Sequence, residues 1–244
     1  MIFTKDIKMA DVILQNHHLL SVINRFGIQL GFGDKSIKEV CKIYDINPDF
    51  FLEIINTFND PDFYPQHHLE KFPLKLIIDF LYQAHAFYQE QKIPEIAKMI
   101  EQLMDNSPEE QQNIMHLIQK FFDEYRQQLS EHIAREEQTV YPYILQLEDY
   151  ITGGEQTAES LQELRKYHID DYAQEHDNIE EKLSELKNIL IKYLPPQRDY
   201  VLCYKILGQL GHLEEDMNNH SAMENKILIP RVKLMEQNLE NNRP

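Results

Sequence analysis

The chain has 244 residues, 42% of them hydrophobic and 27% charged, which gives one or two globular domains with a sizeable core. Only 7 glycines, none in a phosphate-cradling motif, argue against an all-β fold and a nucleotide-binding loop. A net charge of -17 excludes nucleic acid and anionic membranes as partners, and no apolar run nears the roughly 20 residues of a membrane span.

Residues 9–26 and 36–58 carry apolar positions at helical spacing (Val12, Ile13, Leu19, Leu20, Ile23; Ile37, Val40, Ile43) around a turn at Gly31, Gly33 and Asp34. The second of these has a helix–turn–helix cadence about Ile46-Asn47-Pro48. With so acidic a chain it reads as a helical hairpin. Residues 61–73, with Pro61, Pro65, Pro73 and the pair His67-His68, read as a linker. Longer helical stretches follow near 74–103, 109–146, 157–193 and 197–238, broken at Asn106-Ser107-Pro108, Gly153-Gly154 and Pro195-Pro196. The prediction is an all-α chain: an up-down-up-down four-helix bundle over 74–240, preceded by a small helical domain over 1–60. Cys41 and Cys203 are the only cysteines, and the first residues lack a signal-peptide core, so a reducing, cytoplasmic setting is expected.

Eleven histidines are many. A carboxylate follows a His by four residues in four places, where roughly two are expected by chance in a chain this acidic, so spacing alone is weak evidence. The stronger signal is a repeat. His132-Ile-Ala-Arg-Glu136 runs on to Pro142, and His220-Ser-Ala-Met-Glu224 runs on to Pro230. Both read H-x-A-x-E-x-x-x-x-x-P, 88 residues apart. Each follows a helix with one further His, His85 and His176, at separations of 47 and 44 residues. Two helical hairpins that each supply His and then His-x-x-x-Glu can converge six side chains at one level of a bundle. Four imidazoles and two carboxylates exceed a tetrahedral zinc site and suit two first-row metals, iron or manganese, with the carboxylates shared. An open position would remain for O2, NO, peroxide or water.

The other histidines lack this pattern. His17, His18, His67 and His68 read as solvated, His116 and His168 have no repeat partner, and His212 lies two turns from His220. Glu180 or Asp177 would orient His176. Phe87, Phe121, Phe122 and Met217 read as bundle core, and Tyr88 and Tyr141 either face the site or pack. A ferritin-like site needs Glu-x-x-His, a zinc protease His-Glu-x-x-His, and an esterase G-x-S-x-G; none occurs.

The set His85, His132, Glu136, His176, His220 and Glu224 resembles the metal ligands of hemerythrin-like (HHE cation-binding) domains, in particular the RIC-type di-iron proteins for repair of iron centres. Gln91-Lys92-Ile93-Pro94-Glu95, Glu136-Glu137-Gln138, Glu175-His176-Asp177 and Glu224-Asn225 add to the likeness, which spans about residues 74–235. The resemblance implies two non-haem irons, oxo-bridged, held by four His and two bridging Glu, with manganese or a mixed pair as variants. It implies a monomer or dimer that serves iron–sulfur proteins under nitrosative or oxidative stress, by cluster repair or iron donation. The alternative is a sensor of O2 or NO that signals through its N-terminal helices. Oxygen carriers add a fifth His and use an Asp in the last motif. RIC-type proteins also have a Cys-Cys-Gly-Gly-like turn near the N-terminus. The matching stretch here, Gly31-Phe32-Gly33-Asp34, has no thiol, and Cys41 sits on a helix, so a thiol-dependent step cannot run in the same way.

Overall fold

A computed structural model describes residues 2–60, 63, 69–154, 157–174, 179–196 and 199–241. Among these, regular structure is helical, apart from one antiparallel bridge between Lys8 and Ser36. The all-α expectation holds. The expected linker falls mostly outside the described residues. The chain divides into two compact units, Met1–Ala84 with Ala222–Arg231, and His85–Ser221 with Val232–Pro244.

In the first unit, α1 (Met9–Gln15) and α2 (Leu19–Arg25) are separate helices, not one. Asn16 ends α1, and its side chain accepts the His18 N–H at 3.0 Å, an Asx turn that diverts the backbone. The loop that follows takes positive φ at Gly31 and Gly33, which glycine tolerates without strain. Helix α3 (Ile37–Ile43) starts on a Ser36/Glu39 capping box, and α4 (Pro48–Asn59) on Asn47 with Pro48 in its first turn. They form the expected hairpin. Phe50, Phe51, Ile54 and Ile55 bury one face of α4, and Phe26 packs against Phe50, Phe51 and Phe80. Asn56 clips the N-terminal strand of chain by accepting from Phe3 N–H (2.7 Å) and donating to Phe3 O (3.2 Å). From Leu74 the chain enters α5 (Leu74–Phe87).

The second unit holds the long helices. A π-helical segment, Tyr88–Lys92, leads into α6 (Ile93–Asp105). Helix α7 (Gln112–Arg135) passes through a second π segment, Glu136–Val140, into α8 (Tyr141–Thr152). Gly153, in the left-handed region, ends α8. The stretch expected as one helix over 157–193 breaks after α9 (Ala158–Leu164) and restarts at α10 (Ile169–Gln174); α11 (Ile179–Tyr193) follows, with residues 175–178 outside the described ones. Asp170 and Asp171 in the first turn of α10 favour a new N-terminus there. Helix α12 (Tyr200–Met223) runs into a third π segment, Glu224–Leu228, which belongs to the first unit, and then α13 (Ile229–Asn241). Helix α7 packs against α6 and α11.

The buried positions of α7 alternate at three and four residues: Met115, Ile118, Phe122, Tyr125, Leu129, His132, Glu136. Those of α12 follow the same count: Cys203, Ile206, Leu210, Leu213, Met217, His220, Glu224. The repeat seen in the sequence therefore extends two further turns back and more. Its His and Glu occupy core positions of an apolar stripe.

Candidate metal centre

His85 lies near the C-terminal end of α5, His132 in the last turn of α7, and His220 in the last turn of α12. All three are buried, and Glu136 is fully so. Their core positions on the stripe dictate this burial. Glu136 is the first residue of its π segment, and Glu224 is the first of its own. Tyr88, three residues after His85, begins the remaining one. Single π turns inside α-helices commonly accompany functional sites.

Each π segment has a local cause. The N–H of Ile93, Tyr141 and Ile229 bonds to the carbonyl five residues back, at Tyr88, Glu136 and Glu224. A proline follows each of these donors directly: Pro94, Pro142 and Pro230. Proline offers no N–H and crowds the carbonyl four residues back, so the widened turn before it relieves a clash.

The ligand atoms of His85, Glu136 and His220 lie within 4.8 Å of one another. His85 Nε2 is 3.2 Å from His220 Nε2 and 3.1 Å from Glu136 Oε2. The other ring nitrogen of His85, Nδ1, is 2.9 Å from Glu137 Oε1. A carboxylate only accepts, so Nδ1 carries a proton there and Nε2 is the ring nitrogen that faces the pocket. Nitrogen and carboxylate atoms gathered this closely in a buried place form a donor set that could hold a cation. Two imidazoles and a carboxylate suit a first-row metal ion.

The second oxygen of the same carboxylate turns elsewhere. Glu136 Oε1 is 2.8 Å from His132 Nε2, and the buried Tyr172 hydroxyl on α10 donates to it at 2.5 Å. One carboxylate thus serves two donor sets through its two oxygens. Around it, Tyr141 stacks on His85, with ring centroids 5.6 Å apart and planes 9° apart. Tyr88 sets its edge toward His220 and donates to Asp216 at 3.0 Å. The Glu236 carboxylate accepts from Ile169 N–H at 2.9 Å and from the Tyr143 hydroxyl, and so fixes the start of α10. The Tyr143 hydroxyl is pushed to higher pKa, first by burial and then by this bond to Glu236.

Of the six expected ligands, the second unit brings together His85, His132, Glu136 and His220. Glu224, in the first unit, is fully buried one turn beyond His220. His176 lies outside the described residues, as do His67, His68 and Asp177. The other described histidines, His17, His18, His116, His168 and His212, are all exposed. Tyr88 and Tyr141, for which both facing the site and packing were open, border the site, whereas Phe121, expected in the core, is on the outer face of α7. Sequence reasoning missed Tyr172 and the role of Glu137, which it named only within the Glu136-Glu137-Gln138 motif. Glu137 adjoins a ligand, and Tyr172 stands four residues before His176, the spacing that shares a helix face.

The family model of the Hemerythrin HHE cation binding domain matches residues 78–232. Curated relatives include the iron-sulfur cluster repair protein YtfE of Salmonella paratyphi B, Salmonella newport and Salmonella heidelberg. Each is 24% identical over 164 residues, covering 66% of this chain and 66% of the relative, just under two thirds of its length. The chain belongs to the hemerythrin HHE cation-binding family, and its fold is the all-α, hemerythrin-like bundle. Among the described residues no helix is long and apolar enough to cross a membrane.

Proposed function

We propose that this member of the hemerythrin HHE family is a non-haem two-iron protein that supports iron–sulfur cluster repair, by holding iron and handing it on. The observation that carries the reading is the split carboxylate. Glu136 presents one oxygen to His85 and His220 and the other to His132, the arrangement of a carboxylate shared by two metals. Glu224, buried at the matching place of the repeat, is the second shared carboxylate, and His176 completes the His-x-x-x-Glu partner set. The family's cation-binding description and the repair proteins among its relatives support the same assignment. On this reading residues 74–240 carry the metal site, 1–60 form an appended helical domain, and 61–73 join them.

Two irons held there would supply redox-active Lewis acids with coordination positions left for a small ligand such as O2, NO or peroxide. The chain's own residues do the rest. His85, His132 and His220 offer ring nitrogens, and the buried carboxylates offset the cationic charge in a low-dielectric core. The apolar stripe above and below the site keeps bulk water out. The N-terminal helices carry no thiol pair, and the Cys41 thiol is buried, so the repair role proposed here rests on the metal site alone.

Iron content and the absorption spectrum of one sample of the full chain test this. Two irons per chain, with a near-ultraviolet ligand-to-iron band, are expected in the wild type, and Glu136→Ala should hold fewer than half as many. Equal iron in the two proteins, or a wild type holding one zinc, rejects the assignment.

A further inference from the structure

The two halves of the site are held from outside by different groups. At the His85–His220 end the outer partner is an anion. Glu137 Oε1 accepts from His85 Nδ1 at 2.9 Å, and its side chain is about one-third exposed. That bond fixes which ring nitrogen faces inward, and a carboxylate behind an imidazole strengthens its inner nitrogen as a metal donor. At the His132 end the outer partner is a neutral donor. The buried Tyr172 hydroxyl gives its proton to Glu136 Oε1 at 2.5 Å, on the oxygen that faces His132. It occupies one lone-pair direction of that oxygen and leaves the other toward His132. Tyr172 is itself placed by α10, whose first N–H is tied to Glu236.

We propose that Tyr172 and Glu137 are positioning residues that each govern one metal position, Tyr172 the position at His132 and Glu137 the position at His85 and His220. The inference rests on the two-metal reading above. It makes the site unequal by construction: each metal can be loosened without the other, because one outer hydrogen bond acts on His85 and the other on Glu136 Oε1, the oxygen that faces His132.

The test uses the full chain loaded anaerobically with ferrous iron and equilibrated against increasing ferrous chelator. Retained iron per chain is measured for wild type, Tyr172→Phe, Glu137→Gln and the double variant. Both substitutions keep side-chain shape, and far-ultraviolet circular dichroism checks that each variant is folded. Loss of such an outer partner typically costs 10–100-fold in metal affinity. Each single variant should therefore keep one iron with wild-type resistance and lose the other at 10–100-fold less chelator. The double variant should lose both at the lower concentration. Single variants that match the wild type overturn the proposal, as do single variants that shed both irons together. A double variant that keeps one iron at wild-type strength places both residues on the same position and also overturns it. A visible ferric charge-transfer band that disappears in Tyr172→Phe would make Tyr172 a ligand, with the same consequence. A wild type that takes fewer than two irons rejects the two-metal reading and this proposal with it; two wild-type irons with unmoved variants reject this proposal alone.

Discussion

Cys41 lies fully buried on α3, and burial pushes its thiol up to about 11. The thiolate is the reactive form, so little of it exists near neutral pH. Alkylation at pH 8 should run at least about tenfold slower in the native chain than in denaturant, counted by mass spectrometry; equal rates would place Cys41 in solvent. The same shift has a sign in stability. The folded state favours the protonated thiol, so this contribution is intact below pH 9 and is lost as pH rises toward about 11. The histidines show how much residue-level chemistry the sequence carries. A repeat 88 residues apart was enough to separate buried His132 and His220 from exposed His17, His116 and His212. The roles of Glu137 and Tyr172 were not legible because their contacts join different helices, and no periodicity within one helix reports a contact across two.

Among the elements, the π segments set the register of everything after the ligands. A regular α-helix through residues 136–140 would carry α8 on by a different rotation, because each π turn inserts one extra residue. The proline after each segment is the sequence's only trace of it, at Pro94, Pro142 and Pro230. Replacing Pro142 and Pro230 by alanine restores a backbone donor at each position and removes the ring that crowds the turn. The pair of substitutions should keep or raise helicity yet weaken metal retention by about tenfold, because the orientation of Glu136 is lost. Circular dichroism and chelator titration on the same sample check it; unchanged retention would show that the π turns do not position the carboxylates. The third long stretch was illegible for a different reason. Lys166-Tyr167-His168 carries no strong breaker, yet the chain restarts at Ile169, where the Glu236 carboxylate receives the first N–H and Tyr167 packs edge-on to Tyr143. Those are tertiary contacts, and they override a continuous helical propensity.

At the scale of the molecule, a metal site built into core stripes sets function against stability. His85, His132, Glu136, His220 and Glu224 occupy buried places that leucine would fill. Without metal the first four are a cluster of polar and ionisable groups held away from water, and Glu224 is a further buried carboxylate. Replacing a whole buried ionic network by apolar residues of similar size is often neutral or stabilising by about 1–4 kcal/mol, whereas removing one member leaves the others uncompensated and costs about 3–5 kcal/mol. Two opposite outcomes follow for the metal-free chain. Glu136→Leu alone should be less stable than wild type, and leucine at all five positions should be at least as stable as wild type, both read from denaturant unfolding under excess chelator. On the proposed two-iron reading, iron should then reverse the order for the wild type only, adding about 2.7 kcal/mol for each site at free iron 100-fold above its dissociation constant. If the five-leucine chain proved less stable than Glu136→Leu, the polar cluster would be holding the core together by itself. The His and Glu would then be structural pairs, and the fit of this core to two metal ions would lose its physical basis.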